Sequence, residues 1–359
     1  MADNQYIASI ATAIPPYTMN QEEVKQFFIK NYSNKLKAKS VEVLNKVFDH
    51  PSMQQRNFAF ENLDILLNEK QDECVQRFTK WSIKLSTEAI IKALEKANLK
   101  IDNISGLVVN TCTGYLCPGI STYLLDSLGL KKNTKVYDLV GSGCGGAIPN
   151  IELCRGLLNG SPEKVIVSVS VEICTCTYQM ADDLSLIISN ALFGDGAAAA
   201  VIWNRPTGLK LISSHSKYAP QYRDDIRFIY KNGRLYNQLT VRLPKLAAKT
   251  ALEAVNELLD SNGLKINDIK YWALHSGGDK VINEIKEQFG LREEQLKFTR
   301  KVLAQCGNLS SPTVWFVLNE MQKEGLEKDK WLVMLAFGAG LVAHAMLIKT
   351  QTIEPNLFQ

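Results

Sequence analysis

The chain has 359 residues, 46% of them hydrophobic and 22% charged, which excludes a disordered, collagen-like or coiled-coil protein and suits two domains or one duplicated unit. Its 41 Lys and Arg against 37 Asp and Glu leave a formal charge of +4, too small and too dispersed for a nucleic-acid-binding surface. The 8 Cys are too sparse for a disulfide scaffold and follow no secretory signal pattern, so they are expected to be reduced thiols of a cytoplasmic protein. Cys174 and Cys176 are spaced wrongly for a zinc knuckle, and no metal is expected.

Tyr6 to Ile14 reads as a first strand, ended by Pro15 and Pro16, and the polar, Lys-rich stretch from Asn20 to about Gln76 reads as helical and peripheral. From Trp81 the apolar residues recur at helical spacing and lead into a strand at Gly106 to Asn110. The alternation continues with a helix at Ser121 to Leu128, a strand at Thr134 to Val140, a Gly-rich turn, a helix at Gly145 to Leu158 and strands at Lys164 to Ser170, Ala197 to Trp203 and Leu209 to Ser216. A second series follows: helix Leu246 to Ser261, strand Tyr271 to His275, helix Lys280 to Phe289, a loop, and helix Ser311 to Lys323. Trp331 to Ile348 carries no charged residue and is long enough to cross a bilayer, but Gly338, Ala339 and Gly340 split it into two strands buried on both faces, so no membrane span is expected.

This order predicts an α/β fold with a mostly parallel sheet. The segments 98 to 104 (Asn-Leu-Lys-Ile-Asp-Asn-Ile) and 263 to 269 (Gly-Leu-Lys-Ile-Asn-Asp-Ile) each follow a helix and precede a strand. They read either as one unit duplicated or as the chance likeness of two helix ends. On the first reading the halves span 1–216 and 217–359.

Cys144, in the run Gly-Ser-Gly-Cys-Gly-Gly at 141 to 146, lies between a strand and a helix. A helix N-terminus there favours thiolate, and the glycines let backbone N–H groups reach an oxyanion. Packing of a buried Cys is the other reading. The turn lacks the Lys of a P-loop and does not match G-x-G-x-x-G. A nucleophilic Cys needs a base, and of His50, His215, His275 and His344 only His275 ends a strand at a Gly-rich turn, where sites of α/β sheets gather. His344 reads as a core His satisfied by backbone. Asn308, in Cys-Gly-Asn-Leu-Ser-Ser-Pro, either polarises a carbonyl or caps a helix.

Taken together, Cys144 in GSGCGG, Phe193 in ALFGDGAAAA, His275 in LHSGG, Asn308 in CGNLSSP and the AFGAG loop at 336 to 340 resemble the type III polyketide synthases, the chalcone-synthase-like branch of the thiolase fold, with bacterial members the nearer in sequence. The resemblance covers nearly the whole chain. It implies a homodimer of five-layered αβαβα subunits, with no cofactor beyond its substrates, malonyl-CoA and an acyl starter. In it Cys144 carries the acyl group as a thioester, His275 and Asn308 hold the malonyl carbonyl while carbon dioxide leaves, and the enolate attacks the thioester in repeated Claisen condensations. Phe193 matches an aromatic gatekeeper, with Val241 as its smaller partner. Cys112, Thr113, Cys174, Thr177, Ser310, Gly338 and Gly340 match positions around the cavity, and Cys117 a position that reaches the partner subunit's cavity.

Several of these positions hold Cys where plant enzymes have Thr or Met, and Cys is small and apolar. An aliphatic starter and an alkylpyrone or alkylresorcinol product are expected rather than a chalcone. In the window that holds coenzyme A phosphates in the family only Arg56 is basic. Either Lys35, Lys37 and Lys39 assist it, or the starter arrives on an acyl carrier protein. Alternative readings are a ketosynthase III-like enzyme performing one condensation, and a non-catalytic thiolase-fold scaffold.

Overall fold

The computed structural model describes residues 4–158, 161, 163–231 and 233–351. The first half runs β1 (Gln5–Ala13), β2 (Tyr17–Asn20), α1 (Gln21–Tyr32), α2 (Ala38–Phe48), β3 (Gln55–Phe58), α3 (Ile65–Asn68), α4 (Gln71–Lys96), β4 (Ile104–Thr111), α5 (Ile120–Ser127), β5 (Lys135–Val140), α6 (Ala147–Leu158), β6 (Val165–Ile173), α7 (Leu184–Leu192) and β7 (Asp195–Trp203). The second runs β8 (Leu209–Tyr218), β9 (Ile226–Lys231), β10 (Arg234–Leu239), α8 (Leu243–Asp260), β11 (Ile269–Leu274), α9 (Asp279–Phe289), α10 (Glu293–Cys306), α11 (Thr313–Glu324), β12 (Trp331–Gly338) and β13 (Val342–Lys349).

Nine strands pair in the order β11-β12-β13-β8-β1-β7-β6-β4-β5. Outward from the centre, β1, β7, β6 and β4 mirror β8, β13, β12 and β11, each series joined by two antiparallel pairings and then a parallel one. The join is short, Gln5 to Ile7 against Leu211 to Leu209, whereas β8 pairs with β13 from Tyr218 to Lys210. β8 therefore opens the second half, and the structural repeat begins after Trp203 rather than after Ser216. The repeat extends to single hydrogen bonds. Asn98 and Gly263 both take positive φ (52° and 68°) after their helices. Leu99 N–H donates to Leu94 O and Leu264 N–H to Leu259 O, each at 2.9 Å, and Lys100 and Lys265 N–H each donate 2.7 Å to the side chain three residues on. Such matched left-handed caps settle the choice in favour of duplication.

Strand alternation separates three cores. In β7, Ala198, Ala200 and Ile202 face a central core built with Ile148 and Ile151 of α6 and Val314, Trp315 and Leu318 of α11. Ala197, Ala199 and Val201 face an outer core under Leu85, Ala89 and Ile90 of α4. In β12, Met334 and Ala336 point to the centre and Val333 and Leu335 to α8 and α9. The period of two puts opposite faces of each strand into different cores, which yields the five αβαβα layers.

The N-terminal segment is not peripheral. Phe28, Phe48 and Phe58 from α1, α2 and β3 pack with Cys174, Ile187 and Phe193, with Cys144 at the margin. Among the described residues no helix is long and apolar enough to cross a membrane.

Candidate active site

Cys144 lies in a 3-10 turn, Gly143–Gly145, between β5 and α6. Gly143 has φ 57°, and a Cβ there would lie 2.7 Å from the Ala339 nitrogen, so only glycine lets the turn meet the end of β12. Cys144 Sγ accepts a hydrogen bond from Ser310 Oγ at 3.2 Å. Burial pushes its thiol up to about 12, so in the resting site desolvation outweighs the helix N-terminus expected to favour thiolate.

His275 follows β11 and is 1% exposed. Its N–H donates to Leu335 O at 2.8 Å, and its ring meets Phe337 edge-on, centroids 5.0 Å apart. Neither ring nitrogen has a hydrogen-bond partner among the described residues, and burial pulls the imidazole down to about 3. By contrast the other buried histidine, His344, bonds through Nδ1 to Ser216 Oγ at 2.7 Å, a hydroxyl rather than the expected backbone partner.

Asn308 sits between α10 and α11. Its N–H donates to Leu192 O at 2.8 Å and its carbonyl accepts from Gly194 N–H at 3.0 Å, pinning it alongside Phe193. Asn308 Oδ1 accepts from Ser310 N–H at 2.8 Å, and Nδ2 donates at 3.4 Å to Gly277 O, two residues beyond His275. Ser310 thus links the Cys144 thiol to Asn308, and Asn308 links on to the His275 turn. The end of β12 gathers the same turns from the other side, because Phe337 touches His275, Gly338 abuts Ser142 O and Gly145 N, and Ala339 abuts Gly143.

A narrow cavity beside Cys144 leaves only about 30 Å³ accessible to water. It is lined, as expected, by Cys112, Thr113, Cys174, Thr177, Phe193 and Ser310. Its opposite wall is one that sequence reasoning missed, Ile226, Arg227 and Phe228 of β9 with Asn237 and Leu239 of β10. Ala339 lines it too, while Gly338 packs under the Cys144 turn and Gly340, at φ 80°, donates its N–H 3.0 Å to Ile226 O. Cys117 is exposed.

Two expected site residues lie elsewhere. Val241 is 88% exposed. Thr240 and Arg242 on either side both bond the buried Asp225 carboxylate, so the residue between them faces outward, and Asn237 and Leu239 share the cavity with Phe193 instead. Arg56, expected to meet coenzyme A phosphates, is fully buried. Its Nε donates to Gln21 Oε1 (2.9 Å), and its Nη1 to Tyr178 OH (2.6 Å), Asn190 O (2.6 Å) and Phe193 O (2.8 Å). It braces the backbone behind Phe193 and cannot reach a solvent-borne ligand.

Glu172, at the buried end of β6, is a second omission. Its carboxylate accepts from Cys112 N–H (2.9 Å), Thr113 N–H (3.1 Å), Thr113 Oγ1 (2.8 Å) and Ser311 Oγ (2.7 Å), and sits 3.4 Å from Ser310 Oγ. Burial raises its pKa against the pull of these donors. One carboxylate thereby fixes the wall residues Cys112 and Thr113 and the serines beside Cys144. A lone Glu in the otherwise apolar and hydroxyl-bearing run VIVSVSVEI was the signal available in sequence. Among the described residues no group of three or more His, Cys, Asp or Glu could hold a metal ion.

Two family models match the chain, FAE1/type III polyketide synthase-like protein over residues 12–220 and the C-terminal domain of chalcone and stilbene synthases over 210–352. The chain belongs to the type III polyketide synthase family. Among curated relatives of this family, 3,5-dihydroxyphenylacetyl-CoA synthase of Streptomyces toyocaensis is 26% identical over 357 residues, covering 96% of this chain and 89% of the relative. Among solved structures, 1,3,6,8-tetrahydroxynaphthalene synthase of Streptomyces coelicolor superposes with a TM-score of 0.89 at 22% identity, over 97% of this chain and 99% of that one. PKS-I of the brown alga Ectocarpus siliculosus gives 0.89 at 25% identity, over 97% and 98%. Like its family, the chain is a condensing acyltransferase that builds polyketides by iterative condensation, with thioester substrates and no further cofactor.

Proposed function

We propose that Cys144 is the acyl-carrying nucleophile and that His275 and Asn308 are its partners in an enzyme that extends an aliphatic starter with malonyl units to an alkylpyrone or alkylresorcinol. The observation that carries this reading is the hydrogen-bonded link from the Cys144 thiol through Ser310 to Asn308 and on to the His275 turn, with Cys144 and Ser310 opening on the apolar cavity. With the thiol near 12 and the imidazole near 3, the resting pair is neutral. The Cys144 thiolate forms as its proton passes to His275, each new charge compensating the other in a site that solvates neither alone. The thiolate attacks the starter thioester and the coenzyme A thiolate leaves with the proton.

In extension, the His275 and Asn308 side chains donate to the malonyl thioester oxygen. Loss of carbon dioxide leaves an enolate on that oxygen, stabilised by donors held in place beforehand, and this is the main source of rate. The enolate carbon attacks the acyl carbonyl on Cys144, expels the thiolate and leaves a chain two carbons longer on coenzyme A, ready to return to Cys144. Phe193, Phe228 and Leu239 bound the space, whose narrowness favours an unbranched chain over a bulky ring. The starter is assigned to a coenzyme A thioester, the active unit to a homodimer and the enzyme to the cytoplasm.

The test incubates purified protein with malonyl-CoA and acyl-CoA starters from acetyl to palmitoyl, with products read by mass spectrometry. Two or more condensations per starter are expected; a single one points to a ketosynthase III-like enzyme. No product from any coenzyme A thioester but product from acyl carrier protein reassigns the carrier. Cys144→Ala is expected to abolish condensation yet retain malonyl decarboxylation, and normal turnover by that variant refutes the mechanism.

A further inference from the structure

Cys74 and Cys176 lie 102 residues apart in sequence but against each other in the fold. Cys74 is in the first turn of α4 and Cys176 in the short 3-10 turn Cys174–Thr177 that follows β6. Cys74 Sγ lies 3.3 Å from Cys176 O, and Cys176 Sγ lies 3.6 Å from Cys74 O, so each thiol reaches across to the other's backbone. Arg77, one turn along α4, donates to Thr175 Oγ1 at 2.7 Å and pairs with Glu69 at 2.6 Å, which sets a guanidinium beside the pair. Cys176 is flanked in sequence by Cys174 and Thr177, whose side chains line the cavity beside Cys144.

We infer that Cys74 and Cys176 are an oxidative modification site, a dithiol that a peroxide converts to a disulfide and that thereby alters the cavity wall. The Cys74 thiolate attacks the O–O bond of hydrogen peroxide and releases hydroxide, leaving Cys74 as a sulfenic acid. The Cys176 sulfur then attacks the Cys74 sulfur, the S–S bond forms, and hydroxide departs with the Cys176 proton as water. Two thiols and one peroxide give one disulfide and two waters, with two electrons passing from sulfur to oxygen.

Cys74 is the first attacker because it stands in the first turn of α4, one turn before the Arg77 guanidinium. The contact with the Cys176 thiol and the charge of Arg77 hold its thiol below the ordinary value, while burial holds Cys176 well above it. A thiolate beside a cation at a helix start is the environment of redox-active cysteines. Cys144, with its thiol near 12, has no such cation in its hydrogen-bond set. Closing the disulfide draws the sulfurs into a bond of fixed dihedral preference, which ties the 174–177 turn to the first turn of α4.

The experiment treats the full chain with hydrogen peroxide and maps its tryptic peptides, in a Cys144→Ser background so that only non-catalytic thiols respond. The expected product joins the peptide Gln71 to Arg77, whose one Cys is Cys74, to the peptide from Val165 that holds Cys176. It should be two hydrogens lighter than the separate peptides, cleaved by dithiothreitol, and absent from both Cys74→Ser and Cys176→Ser. With Cys144 intact, the dithiothreitol-reversible part of the peroxide effect on malonyl consumption should disappear in the same two variants. Absence of the cross-link, or its persistence through Cys174 in the Cys176→Ser protein, overturns the site. A cross-link that forms without changing turnover overturns its link to the cavity. Because the map is read on peptides, it stands whether or not the proposed starter and product are correct.

Discussion

Arg56 holds its charge where no water reaches, and its four hydrogen-bond acceptors come from three segments, α1 (Gln21), the turn at Tyr178 and the C-terminal end of α7 (Asn190 and Phe193). Removing a buried charge leaves its partners unpaired, at a cost of about 3 to 5 kcal/mol. Arg56→Ala is therefore expected to lower the urea midpoint sharply; a stable variant with only a raised KM for malonyl-CoA would restore Arg56 to ligand binding. His344, whose ring packs against Gly145 of the Cys144 turn, permits a pH test read on stability rather than on turnover. Burial holds its imidazole at about 4 in the fold against about 6.5 in the unfolded chain. As pH falls below about 6.5 the unfolded chain takes a proton that the fold refuses, so stability drops towards pH 4 by up to about 1.4 kcal/mol per pH unit. His275 acts in the same direction, while Glu172 and Asp195, raised by burial, bind protons sooner in the fold and act against it. His344→Gln should flatten the fall of the urea midpoint between pH 6.5 and 4.5, and an unchanged slope would place the acid sensitivity elsewhere.

At the scale of elements, strand and helix order was legible because buried strands and amphipathic helices alternate with distinct periods. The β9–β10 hairpin escaped, since its strands are short, half-exposed and interrupted by charge (IRFIYK and RLYNQL), and no core face organises their pattern. Yet it forms a wall of the cavity, where Asn237 and Leu239 stand beside Phe193 and Val241, two residues past the end of β10, does not. A shift of an odd number of residues exchanges the faces of a strand, and a shift of two past its end leaves the strand altogether. Phe228, on this hairpin, shares the narrow space with Phe193. Phe228→Ala is expected to widen it and shift the products towards more condensations per starter, read by mass spectrometry. An unchanged distribution with intact folding would show that this ring does not limit chain growth.

For the whole molecule, the sheet ends in β5, an edge strand with no mirror partner among the described residues of the second half. Tyr137 and Val140 on it and Tyr115 near it are exposed, at 47%, 50% and 68%. An open edge with apolar side chains invites pairing with another chain. The proposed homodimer should use this face, and Tyr137→Lys combined with Val140→Asp should shift the mass measured by light scattering from dimer towards monomer. A dimer unaffected by both changes would use another surface.

The amino-acid sequence alone determined the alternating α/β order and the three turns that bear Cys144, His275 and Asn308, and left the duplication of that order to the structure. Each is a local property, written in the period of apolar residues or in glycines that a tight strand-to-helix turn demands. Only tertiary structure decided that Arg56 is a brace, that Glu172 anchors the wall, that β8 opens the second half and that Cys74 meets Cys176. Those outcomes depend on which distant segments desolvate one another, and burial changes the chemistry of a charge or a thiol without leaving any mark in the spacing of residues.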